Sequence, residues 1–443
     1  MSNDLQHATA GRIVNAPENH LDAAQLAAAR SARRGFMGKA LAMGAGAMGA
    51  AAHAVDGDPA ILNLPEHSKG LGQGVATTGY GLPSKHEKNL QRRESPGLTR
   101  VPQASVSFCP LQGLFGIITP NGLHFERHHQ GWWDVDPAQH RLMVNGLVRQ
   151  SRVFTMDELM RLPSVSRIHF IECGANTGIE WNNVALPSVQ YTHGMLSCCE
   201  FTGVALSTLL EMCGADTRRG QYVLAEGADG SSMTRTIPMK NALADVIVAW
   251  GMNGEMLRPE NGYPLRLVVP GVQGVSWVKY LRRLEVGDQP YFTKDEELHY
   301  VDLMPDGTHR QFTSIQECKS VITTPSGGQV LQGRGYYNVS GLAWSGRGKV
   351  KRVDLSFDAG RSWRPARIAG PVLDKALTRF NADWVWDGTP AILQSRAIDE
   401  TGYVQPKINQ LRAVRGTRSI YHNNAIQSWR VAENGTVYNV QTV

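Results

Sequence analysis

Cys173 is the residue best placed for chemistry, because it ends a predicted strand and precedes the turn Gly174-Ala175-Asn176-Thr177-Gly178. Glycine-rich turns at strand ends are where α/β proteins expose reactive groups to a pocket. A reactive thiol is therefore one interpretation of Cys173. A single cysteine considered alone is more often a small buried apolar side chain.

The segment Phe125-Glu126-Arg127-His128-His129 brings a fixed cation and two imidazoles together within five residues. His124 and His128 also have the i, i+4 spacing of a helical zinc-ligand pair. No glutamate or third ligand follows at a convincing distance, so the indication of zinc is weak. A solvated loop, or a histidine satisfied within the core, explains the same residues.

The stretch from Asn261 to Tyr280 combines an apolar strand with flanking glycines and two cations, Arg266 and Lys279. Both cations lie beside turns, where backbone N–H groups can also face an anion. This arrangement suits a cofactor that carries a phosphate. The alternative is a strand with two surface cations.

Several elements must position these residues. Two β-branched apolar runs predict strands at Arg167–Glu172 and Leu265–Val269. A capping box at Thr155 predicts a short helix, and the pattern from Val204 to Cys213 predicts another helix that ends at Gly214. From about residue 323 the apolar pattern has period two, with segments such as Val353 to Phe357, 383–386 and 392–396, which predicts an antiparallel sandwich.

The first 54 residues resemble an export signal, since an arginine pair (Arg33-Arg34) precedes a short apolar run that ends in Ala52-His53-Ala54. The apolar run of thirteen residues is shorter than the ~20 that a membrane span requires. The arginine pair predicts the twin-arginine route and a bacterial periplasmic location. Residues 55–104 are polar and glycine-rich, and they predict an extended arm.

Composition excludes several classes of protein. The 443 residues are 42% hydrophobic and 19% charged, which is too apolar for a disordered chain. Six cysteines are too few for a disulfide scaffold. The net charge of +6 comes without Lys/Arg blocks, so no nucleic-acid partner is indicated.

From about residue 105 to the C-terminus, the combined motifs resemble the sulfite oxidase family of molybdenum cofactor enzymes. That family's Phe-x-Arg-Asn-His loop is similar to Phe125 to His129, with His128 in the Asn place, and its Cys-x-x-Asn turn is similar to Cys173 to Asn176. Its Glu-Gly-x-Asp motif is similar to Glu226 to Asp229.

The resemblance implies an α+β architecture: a mixed α/β molybdenum cofactor domain at 105–315, followed by an immunoglobulin-like β-sandwich dimerisation domain at 316–443. It implies Mo-molybdopterin as cofactor and Cys173 as the metal ligand. It also implies Arg127 and, with a looser alignment, Tyr300 as catalytic residues. The cofactor contacts that it implies are Phe125, Arg127, His129, Cys173, Asp229, Asn261, Arg266, Trp277, Val278 and Lys279.

Two departures from the family pattern bear on the substrate. Thr177 and Gly178 stand where sulfite oxidases usually have two arginines, and Cys198-Cys199 stands where an Arg-Trp pair is common. Fewer cations beside the metal should weaken attraction for a small dianion. The resemblance is therefore greatest to the branch of the family that oxidises sulfane sulfur bound to a carrier protein.

No Cys-x-x-Cys-His occurs in the sequence, so no c-type haem is expected on this chain. The resemblance implies a separate c-type cytochrome subunit, homodimerisation and an α2β2 heterotetramer. A free-sulfite dehydrogenase, a molybdenum reductase of methionine sulfoxide, a non-catalytic assembly subunit and a zinc hydrolase stay open as alternatives. The roles of Cys109, Cys198, Cys199, Cys213 and Cys318 also stay open, with buried, reduced thiols expected.

Overall fold

A computed structural model describes residues 71, 73–74, 77–94, 101–184, 186–311 and 315–442. The predicted export signal and the first part of the predicted arm lie outside the described residues. The described residues from 71 to 82 are exposed, and Pro83–Val443 forms a compact unit of its own. Within the described ranges, no helix has the length and hydropathy that crossing a bilayer requires.

The first part of this unit contains three sheets and a strand pair, connected by short helices. The α-helices are α1 (Met156–Met160), α2 (Val189–His193), α3 (Leu206–Cys213) and α4 (Met239–Ala244). The strands are β1 (Arg93–Glu94), β2 (Val106–Phe108), β3 (Glu126–Arg127), β4 (Arg141–Gly146), β5 (Arg152–Thr155), β6 (Ser164–Glu172), β7 (Leu196–Ala205), β8 (Tyr222–Gly227), β9 (Thr234–Pro238), β10 (Ile247–Met252), β11 (Glu255–Met256), β12 (Arg266–Val268), β13 (Leu281–Gly287), β14 (Val301–Leu303) and β15 (His309–Gln311).

The connecting segments include several single helical turns. A π-helix at Asp295–His299 directly precedes Tyr300. The 3₁₀ turns are Lys85–Glu87, Pro102–Ala104, Leu111–Gly113, Asn121–Leu123, Gly178–Glu180, Pro259–Asn261 and Gly274–Ser276.

Two five-stranded sheets build the cofactor domain. One has the order β11-β10-β7-β6, with β12 also paired to β10; the other has the order β5-β4-β13-β8-β9. In the first sheet β10 is buried at every residue, as its continuous apolar sequence Ile-Val-Ala-Trp-Gly-Met requires. Strands β1, β2 and β3 form a third sheet, in which Arg93 and Glu94 of the predicted arm pair with β2.

The second part is the predicted β-sandwich. Its strands are β16 (Lys319–Thr324), β17 (Gly335–Trp344), β18 (Val350–Ser356), β19 (Arg364–Pro365), β20 (Arg367–Ala369), β21 (Thr378–Trp386), β22 (Ala391–Asp399), β23 (Ser428–Val431) and β24 (Val437–Val440), with helix α5 (Ile408–Arg415). The sheet orders are β16-β17-β21-β20 and β19-β18-β22-β23-β24. Trp429 of the second sheet donates its indole N–H to the carbonyl of Ile322 in the first, 3.0 Å away. The antiparallel sandwich is therefore confirmed.

The predicted short elements are mostly confirmed, with one correction. Both strands predicted in the cofactor domain form, as β6 and β12, and Thr155 and Glu158 make the reciprocal capping-box hydrogen bonds. The predicted start of the helix at Val204 was wrong, because Val204 and Ala205 belong to β7 and the helix begins at Leu206. They pair there with Val248 and Ile247 of β10. Pairing within the sheet overrides the local apolar pattern at these two residues.

Helix α3 packs one apolar face into the core, with Leu206, Leu209, Leu210 and Cys213 buried. We expect Leu210→Ala to lower the free energy of unfolding by about 2–5 kcal/mol, because it leaves a cavity in this core. Glu211→Ala on the exposed face should change it by about 0.5 kcal/mol or less. Denaturant unfolding of the two variants measures the difference, and equal values would show that this helix face is not packed as described.

Candidate active site

The carboxyl end of β6 opens into a partly open cavity. Its wall comes from the loop around β3, the β6 turn, the loop after β8, the segment 260–279 around β12, and the end of the π-helix. The structure brings all the predicted site residues together on this wall: Phe125, Arg127, His129, Cys173, Asp229, Asn261, Arg266, Trp277, Val278, Lys279 and Tyr300. These residues span 176 positions of the chain, from 125 to 300, so the fold and not local sequence assembles the site.

Cys173 lies on the cavity wall and is only 8% exposed. Its backbone N–H donates to the carbonyl of Met195 on the neighbouring chain segment. Gly174 follows against the side chain of Gln273, and any Cβ at that position would overlap the Gln273 amide. Burial raises the pKa of the Cys173 thiol. The thiol therefore favours its neutral form until a cation such as a metal compensates the thiolate.

Asn176, which the sequence motif pairs with Cys173, shapes the turn instead of lining the cavity. Its amide donates to Glu172 Oε1 at 2.9 Å, and its Oδ1 accepts the backbone N–H of Met195 at 3.2 Å. The next residue, Thr177, has a left-handed φ of 63°. These contacts fix the turn that presents Cys173 to the cavity.

One end of the cavity carries two cations, the buried Arg266 and the half-buried Lys279. Arg266 is 3% exposed and donates to the carbonyls of Asn261 and Trp277. Lys279 Nζ lies 2.9 Å from His128 Nδ1 and 3.2 Å from each of two carbonyls, those of Arg127 and Glu260. Burial lowers the pKa of Arg266 to about 10 and, with the nearby Arg266 charge, the pKa of Lys279 to about 7.

Neither cation has a carboxylate partner at ion-pair distance within the part of the chain that the structure describes. Buried charges without a counter-ion are costly, so this end of the cavity is built for an anion. Three polar atoms of wall residues are also buried without a partner among the described residues: His124 Nε2, Asn261 Oδ1 and Arg266 Nε. A pterin supplies ring donors and acceptors and its tail supplies a phosphate, so these residues fit molybdopterin.

The other side of the cavity holds Arg127, His129 and Tyr300. His129 Nε2 lies 2.9 Å from the Tyr300 hydroxyl. Burial and the Arg127 charge lower the pKa of His129 to about 3, while burial raises the pKa of Tyr300. At neutral pH the pair is therefore an uncharged imidazole and a protonated phenol, and Arg127 is a cation beside it on the cavity wall.

Two residues that contact Tyr300 were not predicted from the sequence. Tyr421, near the end of the second domain, packs against the Tyr300 ring with centroids 5.2 Å apart, and Arg235 of β9 places its guanidinium 5.4 Å from that ring. Arg235 is fully buried and pairs with Glu296 of the π-helix. Neither residue lies in a recognisable motif, so only the fold reveals them.

The described residues contain no group of three His, Cys, Asp or Glu side chains that could hold a metal ion, so they do not supply the ligands of a zinc site at these histidines. His124 Nδ1 contacts the carbonyl of Phe125, and His128 bridges Glu126 and Lys279. Both histidines therefore shape the cofactor end of the cavity. All six cysteines are free and buried, and the burial of Cys109, Cys198, Cys199, Cys213 and Cys318 agrees with the expectation for these five.

Comparison with known proteins identifies both domains. The model of the oxidoreductase molybdopterin binding domain matches residues 129–294, and that of the Mo-co oxidoreductase dimerisation domain matches residues 311–429. Sulfite oxidase of Gallus gallus is 30% identical over 386 residues, which cover 80% of this chain and 83% of that protein. Mitochondrial sulfite oxidase of Rattus norvegicus is 33% identical over 271 residues, 57% of this chain and 50% of that protein.

Among solved structures, the sulfane dehydrogenase SoxCD from Paracoccus pantotrophus matches with a TM-score of 0.86 and 46% sequence identity, covering 87% of this chain and 100% of that chain. The matched domains, in this order, agree with the cofactor domain and the β-sandwich described above. With its buried anion site and its cavity cysteine, this chain belongs to the sulfite oxidase family of molybdopterin oxidoreductases, and Mo-molybdopterin is its cofactor.

Proposed function

We propose that this enzyme is the molybdenum subunit of a sulfane dehydrogenase, which oxidises sulfane sulfur bound to a carrier protein in thiosulfate oxidation. The observation that carries the proposal is the 46% identity to the sulfane dehydrogenase SoxCD over the whole of that chain. The identity to the animal sulfite oxidases named above is lower, 30% and 33%.

The turn after Cys173 supports a substrate other than a small free dianion. Thr177 is buried, and its hydroxyl is bonded to Lys319 and to the carbonyl of Asn423. A Cβ at Gly178 would overlap the carbonyl of Ile420, so no side chain fits there. The second domain therefore occupies the space that arginine side chains at positions 177 and 178 would need. Arg127 is then the cation on the cavity wall whose charge acts on Cys173.

The roles of the residues follow from their positions. Arg266, Lys279, His124 and Asn261 would hold the pterin and its phosphate, and Cys173 would bind the metal through its thiolate. Mo-molybdopterin, when bound, supplies the two-electron redox chemistry that oxidation of sulfur requires. Arg127 attracts and orients the anionic sulfur group by charge-assisted hydrogen bonds.

Tyr300 and His129 complete the substrate side. The Tyr300 O–H carries its proton at neutral pH, since burial raises its pKa still further above the ordinary value, and it can donate a hydrogen bond to the substrate. His129, neutral at the same pH, holds the phenol in place through the 2.9 Å contact. The pair thus orients the substrate without adding charge.

Electrons leave the chain, in this proposal, to a separate c-type cytochrome subunit. The absence of a Cys-x-x-Cys-His motif from the sequence supports this division. The match to a dimerisation domain at 311–429 supports a homodimer and, with the cytochrome, an α2β2 heterotetramer. The arginine pair at Arg33-Arg34 supports export by the twin-arginine route to the periplasm.

Steady-state reduction of cytochrome c, with two sulfur donors compared, tests the substrate. We expect kcat/KM to be at least about tenfold higher for a carrier protein loaded with sulfane sulfur than for free sulfite, a difference of ~1.4 kcal/mol in transition-state binding. The same carrier without sulfane sulfur is the matched control and should give no reduction. A higher kcat/KM for sulfite would instead identify a free-sulfite dehydrogenase, which Arg127 beside Cys173 could also serve.

A further inference from the structure

The residue before Cys173 is a buried carboxylate with three partners. Glu172 is 2% exposed, and its Oε1 accepts hydrogen bonds from Lys319 Nζ and Asn176 Nδ2, both at 2.9 Å. Its Oε2 accepts the indole N–H of Trp344 at 2.8 Å. Both oxygens are therefore occupied, and the ion pair with Lys319 is shielded from solvent on both sides.

Two of these partners come from the second domain and reach the turn from outside. Lys319 lies at the start of β16 and Trp344 at the end of β17, whereas Glu172 and Asn176 flank Cys173. Lys319 Nζ also donates to the Thr177 hydroxyl at 2.9 Å. One ammonium group thus holds the chain both before and after the cysteine.

Backbone contacts from the same domain extend this support. The N–H of His422 donates to the carbonyl of Gly174 at 2.8 Å, and the Asn423 amide donates to the carbonyl of Thr177 at 3.2 Å. The second domain therefore holds the turn at Gly174 and at Thr177, and Glu172–Lys319 is the charged contact beside these two points.

Domain packing alone does not require this ion pair. A buried ion pair gains little stability over apolar residues of similar size, because removing both charges from water costs about as much as their attraction returns. Such a pair does impose a defined geometry on the residues that it joins. Groups that orient a metal ligand act in this way and affect metal binding without touching the metal.

We propose that Glu172 and Lys319 are positioning residues that set the orientation of the Cys173 thiolate toward molybdenum, so that metal ligation in the first domain depends on a cation from the second. The proposal rests on Cys173 as the metal ligand. It adds that the dimerisation domain contributes directly to the geometry of the metal site, besides any role in joining two copies.

Lys319→Met tests the pair, with Ser320→Ala as the matched control. Ser320 is the next residue of β16, but its hydroxyl bonds to Ser395 and Gln405 inside the sandwich, away from Cys173. Two readouts apply: the Mo(V) electron paramagnetic resonance signal of the holoenzyme, and hydrogen exchange of the 173–178 segment in cofactor-free protein. We expect Lys319→Met to shift the Mo(V) signal and to accelerate the exchange, because both depend on the orientation of the turn that carries Cys173. Ser320→Ala should leave both readouts unchanged.

Trp344→Phe keeps the proposal testable if Lys319→Met does not fold, because it removes the hydrogen bond to Glu172 Oε2 and keeps an aromatic ring beside Lys319. It should shift the Mo(V) signal in the same direction by a smaller amount. An unchanged signal in both variants, or in Trp344→Phe alone where Lys319→Met does not fold, would overturn the proposal. If instead Cys173→Ser leaves the wild-type signal unaltered, the assignment of Cys173 itself fails, and the two failures are thereby distinguished.

Discussion

Arg266→Gln should yield a folded protein that has lost most of its Mo-molybdopterin. The guanidinium is buried beside Lys279 and has no carboxylate partner within the described ranges, so its charge is compensated only when an anionic cofactor binds. Hydrogen bonds to a charged group contribute about 1.5–3 kcal/mol, which corresponds to about 10- to 150-fold weaker cofactor binding. Molybdenum and pterin content after dialysis, relative to the wild type, measures this loss.

Arg379→Gln is the matched control for Arg266→Gln. Burial lowers the pKa of Arg379 to about 10, the same value as for Arg266, but Arg379 bonds to the carbonyls of Leu114 and Gly116, away from the cavity. Its replacement should lower the stability of the fold and leave the cofactor content of the folded protein unchanged. Equal cofactor content in the two variants would contradict the placement of the phosphate at Arg266.

Cys173→Ser should abolish sulfur-dependent reduction of cytochrome c while the pterin stays bound. Arg266 and Lys279 hold the phosphate end independently of Cys173, so the cofactor should remain in the cavity. A serine hydroxyl is a harder ligand than a thiolate and does not reproduce its bond to molybdenum. Replacing a residue that only orients a metal ligand already lowers metal affinity or activity about 10–100-fold. We therefore expect replacement of the ligand itself to lower activity by more than ~100-fold.

Cytochrome reduction and pterin content, measured on one preparation, separate the two variants. Arg266→Gln loses both together, whereas Cys173→Ser loses activity alone. Cys213→Ser controls for removal of a buried thiol, since Cys213 lies at the end of α3, among the buried residues of that helix, and is not part of the cavity wall. Full sulfur-dependent reduction in Cys173→Ser would contradict the catalytic assignment.

The cavity was largely predictable because its residues lie in short local motifs. Cys173, Arg127, Arg266 and Lys279 each adjoin a turn or strand end whose pattern is visible in the sequence. The resemblance to a known family then assigned them to one cofactor. Tyr300 was only loosely aligned, and the structure places it 2.9 Å from His129 on the wall.

The supports of the site were not predictable, because each depends on contacts between distant segments. Lys319 and Glu172 are 147 positions apart, and in the sequence Lys319 is an ordinary charged residue at the start of a strand. Tyr421 reaches Tyr300 only after the second domain folds against the first. The error at Val204 has the same origin, since pairing of β7 with β10 decides that residue's conformation.

X-ray absorption at the molybdenum edge tests most directly the claim that Cys173 is the protein ligand of the metal. The purified wild-type protein should contain molybdenum with a sulfur ligand from the protein in addition to those of the pterin. In Cys173→Ser the number of sulfur ligands should fall by one while molybdenum remains bound. An unchanged number of sulfur ligands in Cys173→Ser would contradict the claim.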